Sequence, residues 1–330
     1  MQQSPPTVPA QHATAARLSA PLFVLFNIAA GHESAVTVRA AIERACRDAL
    51  RELHVMVVED PQRISELARD AVTRARQSNG IVVAAGGDGT INAVAQATLG
   101  SGCAFGVLPQ GTFNYFSRTH GITADINEAL QILLYEPARP VQVGLVNEQV
   151  FLVNASLGLY PKLLEDREAW KAQFGRSRLV AFGAGLSTLL RSGRNLRLRI
   201  ELQGAAHDVR TPTLFVGNNA LQMEQLGFAE ANAIDAGQLA GIMLKPVSQS
   251  AMLRMLVRGA FGQLGAADDV VNFAFRKLTV HQPQRGGARR VKVATDGEIT
   301  WQTFPLTFSV SPDPLLLICP TTPAPERKNA

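Results

Sequence analysis

Cysteine is scarce here: the 330 residues hold three, Cys46, Cys103 and Cys319, an odd number with no metal-ligand spacing. Such usage argues against a disulfide framework and for a reducing compartment. The six histidines are scattered without an H-x-x-x-H pair, so zinc chemistry has no ligand pattern to work with. Aromatic residues make up 6% of the chain, too few for stacking to be its main recognition device, and no nucleic-acid partner is expected. No apolar run approaches the roughly 20 residues that a spanning helix needs, so no transmembrane anchor is expected. Met1 to Ala20 has neither a basic n-region nor an apolar h-region and does not read as a signal peptide. A G-x-x-x-x-G-K-[ST] pattern is also missing, which excludes a P-loop.

What the chain does have is apolar content, 46% against 18% charged, and enough length for two domains with a sizeable core. Its net charge is +5. The excess has an address, because Lys162 to Arg199 carries nine Lys/Arg against three Asp/Glu. That stretch is either a solvated arginine-rich face or an attraction to an anionic partner such as a membrane surface or a nucleotide.

The informative stretch runs from Ile81 to Arg118. An apolar β-branched run (Ile81, Val82, Val83) ends in Gly86-Gly87-Asp88-Gly89-Thr90, and a helix-compatible segment follows. A second apolar strand, Phe105 to Leu108, ends in Pro109 and another glycine-threonine turn, Gly111-Thr112. Glycine allows a tight turn and close approach, and the free N–H groups of a turn and helix start can face an anion. Two such strand ends make a phosphate cradle, with Thr90, Asn92 and Thr112 as further donors or acceptors. Asp88 is out of place beside phosphate unless a Mg²⁺ lies between them. An N-cap role for Asp88 is the alternative.

Taken in order, Met1 to about residue 20 reads as a disordered lead and Leu22 to Phe26 as a buried strand. Ser34 can cap a helix whose apolar positions Val38, Ala41, Ile42, Ala45 and Ala49 fall at helical spacing. Val55 to Val58 is the next strand, and Ile64 to Ala75 lines the next helix. Alternating strands and helices of these lengths predict a doubly wound parallel sheet over residues 21–140, with ligands outside the carboxyl ends of its strands. The pattern changes after Pro137–Pro140. Strands are predicted at Val141 to Val146, Val150 to Ser156, Leu196 to Leu202, Thr213 to Val216, Leu239 to Leu244, Val270 to Val280 and Arg290 to Thr295. Lys162 to Arg191 reads as a helical insertion and Ser248 to Gly262 as a helix. The second domain, 141–310, is therefore expected to be mostly antiparallel and sandwich-like, with a disordered tail over 320–330.

Three motifs, G-G-D-G-T-I-N (Gly86 to Asn92), L-P-Q-G-T-F-N (Leu108 to Asn114) and D-G-E (Asp296 to Glu298), together resemble the diacylglycerol kinase catalytic-domain family. These are lipid kinases that include bacterial diacylglycerol kinases and sphingosine kinases. The resemblance covers roughly Pro21 to Ile318. It implies nucleotide contacts at Gly86, Gly87, Asp88, Gly89, Thr90, Ile91, Asn92, Gly111, Thr112 and Asn114. Asn27 to Gly31 (NIAAG) resembles the family's first nucleotide-side loop, with Ile28 where proline is usual, and adds Asn27 and Gly31. It also implies that the C-terminal segment, about 311–319, packs back on the first domain. From spacing alone Asp296-Gly297-Glu298 is an ordinary D-G hairpin turn. By resemblance Glu298 is the general base and Asp296 its polar partner, with burial or a neighbouring carboxylate expected to tune the glutamate. Asn154 to Gly158 (NASLG) and Gly217-Asn218-Asn219 resemble two further family segments, and both could equally be strand-end turns.

The chain also departs from the family. Tyr115 stands where the second motif usually has aspartate, and Ala93 follows Asn92 where glutamate is usual. The aspartate of a D-G-L segment that holds a structural Mg²⁺ in bacterial relatives is displaced here to Asp235. The implied activity is ATP- and Mg²⁺-dependent phosphoryl transfer to a lipid hydroxyl such as that of diacylglycerol. ATP, Mg²⁺ and a membrane-surface lipid are the implied partners. A cytoplasmic, peripheral location is implied, and a homodimer is compatible with the family. The alternatives are an NAD kinase-like enzyme, a catalytically silent nucleotide- or lipid-binding module, and a membrane-surface scaffold.

Overall fold

The computed structural model describes residues 19–28, 35–158, 161, 195–225, 227–228, 230–246, 269–282 and 290–321. Gly31, Ser34, the insertion at 162–191, the helix expected at 248–262, and the expected lead and tail lie largely or wholly outside them. The chain divides into two compact units. One comprises residues up to Val141 together with those from Asp313 on, and the other Gln142–Pro312.

The first unit is built on a six-stranded sheet. Its strands are β1 (Leu22–Asn27), β2 (Leu53–Val58), β3 (Ile81–Gly86), β4 (Ala104–Pro109), β5 (Ala138–Val141) and the chain's last strand, Leu315–Ile318. The order is β2-β1-β3-β4, then the last strand, then β5. Every pairing is parallel except that of the last strand with β5. β3 is buried along its whole length and β1 everywhere but Asn27. Unbroken apolar runs of this kind suit strands covered on both faces. Helices α1 (Ala35–Asp48), α2 (Ile64–Ser78), α3 (Asp88–Thr98), α4 (Tyr115–Thr119) and α5 (Ile126–Tyr135) complete the unit. α2 and α3 pack on each other and on β1, β3 and β4, while α5 packs on β4 and on α1. Asp125 starts α5 by accepting the N–H groups of Asn127 and Glu128.

β5 was not expected. Pro137 and Pro140 read as punctuation, yet Val141 pairs with Leu315 and Ala138 with Ile318. Proline is tolerated because β5 lies at the sheet edge, where a missing N–H breaks no ladder.

The second unit has two antiparallel six-stranded sheets, the sandwich-like arrangement expected. In chain order its strands are β6 (Gly144–Val146), β7 (Gln149–Phe151), β8 (Asn154–Gly158), β9 (Leu196–Leu202), β10 (Ala205–Thr211), β11 (Thr213–Gly217), β12 (Leu239–Leu244), β13 (Val270–Phe275), β14 (Lys277–His281), β15 (Arg290–Thr295), β16 (Glu298–Thr303) and β17 (Leu306–Val310). One sheet runs β10-β9-β14-β17-β6-β7 and the other β13-β12-β11-β8-β15-β16. Phe151, Ile200, Leu278 and Phe308 of the first meet Leu157, Val216, Phe275 and Val293 of the second in one core. Two short helices, α6 (Ala220–Gln225) and α7 (Ala231–Asp235), bring Met223, Ala231 and Ile234 onto Ala240 and Ile242 of the second sheet.

Three differences from the sequence reading have physical reasons. Val270 to Val280 is two strands, because the chain passes at the exposed Arg276 from one sheet to the other. β10 was missed because its residues are mostly exposed and lack alternation; it is an edge strand held by β9. α6 and α7 are too short for a helical period to register.

Candidate active site

β3 and β4 are parallel neighbours in register, with Gly86 opposite Pro109, so their carboxyl ends fall side by side. The two glycine turns therefore touch. Gln110 N–H donates to Gly86 O at 2.9 Å. A Cβ on Gly111 would stand 3.1 Å from Gly87 Cα and 2.8 Å from Asn114 Oδ1. A Cβ on Gly86 would stand 2.6 Å from Thr90 Oγ1. Neither position has room for a side chain.

Asn114 ties the second turn together. It sits at φ 48°, accepts Gly111 N–H on Oδ1 at 3.0 Å and donates from Nδ2 to Gly111 O at 2.8 Å. Its own N–H donates to Asp88 Oδ2 at 3.2 Å, which links the two motifs directly. At the end of β1, Asn27 Nδ2 donates to Thr90 Oγ1 at 2.9 Å. Asn27, Gly86, Gly87, Asp88, Thr90, Gly111 and Asn114 thus form one connected group. Gly89 and Thr112 are exposed beside it and Asn92 is half-buried.

Asp88 is the group's only acid. Gly87, in extended backbone, takes the N-cap position, and Asp88 is the first residue inside α3, so the N-cap alternative for Asp88 does not hold. Burial pushes its carboxyl up, partly offset by the Asn114 N–H. Its Oδ1 is buried with no hydrogen-bond partner among the described residues. The positive helix N-terminus suits the carboxylate and a phosphate, and the buried oxygen left over fits a hard cation that takes its remaining ligands from water and phosphate. Ile91 differs from expectation. Its side chain is fully buried and its N–H closes a helical bond to Gly87 O, so it anchors α3 and offers nothing to a ligand.

In the second unit Asp296 and Gly297 connect β15 to β16 as a two-residue turn with φ 49° and 92°. Positive φ at both positions is the geometry of a type I′ hairpin, which D-G satisfies. The Asp296 carboxylate does more than a turn requires. Oδ2 accepts Leu152 N–H at 2.7 Å, and Oδ1 accepts Val153 and Asn154 N–H, each at 2.9 Å. Asp296 N–H in turn donates to Asn154 O at 2.9 Å. Its carboxylate clamps the segment between β7 and β8. Glu298, first residue of β16, is exposed rather than buried.

The same clamp gathers the segments read as NASLG and GNN. Asn218 N–H donates to Val153 O at 2.8 Å, and its Nδ2 donates to Leu152 O at 3.1 Å. Gln142 Nε2 reaches Asn218 Oδ1 at 2.7 Å, and Asn154 Nδ2 reaches Gln222 Oε1 at 3.0 Å. Gln142 and Gln222 were not singled out from the sequence, where an isolated glutamine carries no pattern. Asp235 is exposed at the end of α7. Among the described residues no group of three or more His, Cys, Asp or Glu surrounds it or Asp88. Tyr115 opens α4 and stacks on Phe113 with ring centroids 6.1 Å apart.

Residues 21–146 match the family model of the diacylglycerol kinase catalytic domain, and residues 166–319 match the model of the YegS C-terminal NAD kinase beta sandwich-like domain. The chain thus carries a diacylglycerol kinase catalytic domain followed by a YegS-type C-terminal domain. It is 38% identical over 144 residues to a Pseudomonas aeruginosa protein named "Probable lipid kinase YegS-like", covering 43% of this chain and 45% of that one. It is 36% identical over 127 residues to the diacylglycerol kinase of Bacillus subtilis, covering 38% and 41%. The chain thus spans less than half the length of either relative. The crystal structure of a Bacillus anthracis diacylglycerol kinase superposes with a TM-score of 0.65 over 91% of this chain and 97% of that one. At 18% identity that likeness concerns the fold alone. Among the described residues no helix is long and apolar enough to cross a membrane.

Proposed function

We propose that this chain transfers the γ-phosphoryl group of ATP, with Mg²⁺, to the hydroxyl of a lipid of the diacylglycerol class. The observation that carries the proposal is the Asp88 carboxylate. It is fixed between the two glycine turns by Asn114, with one buried oxygen left without a partner among the described residues.

In this reading the backbone of the Gly86–Thr90 and Gly111–Asn114 turns lies along the phosphates, where the absence of side chains permits close approach. Asn27 holds the Thr90 hydroxyl in place. Asp88 Oδ1, with water and phosphate oxygens, would hold Mg²⁺, which neutralises charge on the transferred group when bound. Glu298 takes the proton of the lipid hydroxyl as its oxygen bonds to the γ-phosphorus. The bond from that phosphorus to the bridging oxygen breaks, and ADP leaves with the electron pair. Asp296 acts through the backbone, holding the β7–β8 segment rather than touching the reacting atoms.

A silent nucleotide-binding module is the second reading. It is favoured by Tyr115 in place of the family's acid. The test is Mg²⁺-dependent transfer of labelled phosphate from ATP to diacylglycerol, a sphingoid base and phosphatidylglycerol in mixed micelles. Transfer to one of them supports the kinase, whereas saturable ATP binding without transfer to any supports the silent module.

A further inference from the structure

A cavity of about 490 Å³ lies at the end of α4, and all of its lining belongs to the first unit. Val141 of β5 pairs with Leu315 of the last strand, and Arg139 with Leu317. Alternation along both strands therefore puts Arg139, Val141 and Cys319 on one face of the sheet, and all three line the cavity. Thr119 and His120, which close α4, line it as well. The cavity shares no residue with the two glycine turns. Its polar side chains are Thr119, His120, Arg139, Cys319 and Thr321; each can donate a hydrogen bond and none is a carboxylate.

We infer that this cavity binds a phosphate monoester. Thr119 Oγ1 is buried with no hydrogen-bond partner among the described residues, a cost that a ligand oxygen removes. Arg139 Nη1 donates to Thr321 O at 2.8 Å, which leaves the rest of the guanidinium fork for oxyanion oxygens. Burial pushes the His120 imidazole down to about 4, so near pH 7 the ring is neutral and keeps one N–H. Burial also pushes the Cys319 thiol up, so it keeps its proton. Glu136, whose charge adds to that rise, does not line the cavity. The helix end does not oppose an anion either. The carbonyls of Phe116, Ser117 and Arg118 are closed by the N–H groups of His120, Gly121 and Ile122. The volume is that of a small-molecule site rather than a bare-ion site, with Val141 beside the esterified group. That group can belong to a soluble ester or to a lipid, and the two are separated by experiment.

The test titrates glycerol 3-phosphate and, separately, dioctanoyl phosphatidate into the full chain without Mg²⁺ or nucleotide. The readout is the imidazole spectrum of protein labelled with ¹⁵N in its histidines, the His120 signal being assigned with His120→Gln. At least one of the two esters should move that signal saturably below about 10 mM, and the tighter one names the source. Potassium chloride at equal ionic strength should leave it in place. Thr119→Val removes the unpartnered hydroxyl at nearly constant shape. It should weaken binding about tenfold or more, while the melting temperature without ligand stays the same or rises. Arg139→Gln should weaken binding at least as much. Gly111→Ala, which forces the glycine turns apart, should leave it unchanged. The inference is overturned if neither ester moves the His120 signal, if chloride moves it equally, or if Thr119→Val binds like the parent. A lower melting temperature for Thr119→Val without ligand would also overturn it, since the hydroxyl would then serve the fold. Weakening by Gly111→Ala in place of Thr119→Val would assign the anion to the glycine turns and overturn it too. Failure of the kinase reading shows separately, as no transfer from ATP to any lipid.

Discussion

Asn114 N–H donates to Asp88 Oδ2 across 3.2 Å, joining residues 26 positions apart and locking the second glycine turn onto the first. It adds a side-chain link to the backbone bond from Gln110 N–H to Gly86 O, which already sets the two turns side by side. With it, Asp88 is oriented, half-buried and left with one oxygen for a ligand.

That oxygen gives the first prediction. Mg²⁺ with a non-hydrolysable ATP analogue should raise the melting temperature of the parent protein, because a ligand that binds only the folded state stabilises it. Asp88→Asn keeps an acceptor for Asn114 N–H but loses the charge. Its thermal shift with Mg²⁺ should largely disappear while its melting temperature without ligands stays close to that of the parent. An equal shift in both proteins would place the cation elsewhere.

The contact between the turns gives the second. Gly111→Ala sets a methyl group about 3 Å from Gly87 Cα and Asn114 Oδ1, so the turns must move apart. We expect nucleotide affinity to fall about tenfold or more, with a stability loss on the order of 1–2 kcal/mol for overpacking. Equilibrium binding beside urea denaturation measures both.

Asp296 and Glu298 should separate stability from chemistry. Asp296→Asn must turn an NH₂ toward N–H donors at Leu152 or at Val153 and Asn154, leaving at least one unpaired. The expected cost is about 2–3 kcal/mol in denaturant unfolding. Glu298→Gln, exposed on the same hairpin, should change stability by no more than about 0.5 kcal/mol. If the two variants lose stability equally, Asp296 is not the clamp described.

His120 sets a pH dependence. Packed edge-on against Phe116 at 4.8 Å, its imidazole is pushed by burial down to about 4. Between that value and the ordinary histidine value near 6.5 the unfolded chain binds the extra proton and the folded chain does not. Stability is therefore fully present above about 6.5 and declines as pH falls toward 4, by up to about 1.4 kcal/mol per pH unit. His120→Gln should flatten this acid limb. Unfolding midpoints from pH 7 to 4.5 for the two proteins show whether it does.

Much of this architecture was legible because the decisive signals are local. Unbroken apolar runs mark β1 and β3, glycine turns mark the ends of β3 and β4, and D-G marks the turn at Asp296. What escaped depends on contacts distant in sequence. β5 contains a proline and exists because the last strand returns to pair with it. The Asp296 clamp reaches back 142 to 144 residues to amides that have no signature of their own. Ile91 sits inside a binding motif yet belongs to the core, since a contiguous motif on a helix necessarily includes a residue from its buried face.

The most direct test of the central claim compares lipid phosphorylation with nucleotide binding in the parent, Asp88→Ala and Glu298→Gln. A kinase that uses these residues as described loses transfer by at least about a hundredfold in both variants. Glu298→Gln should keep its affinity for ATP, and Asp88→Ala should lose the Mg²⁺-dependent part. Transfer that persists at the parental rate in Glu298→Gln would contradict the assignment of the base, and with it the proposed chemistry.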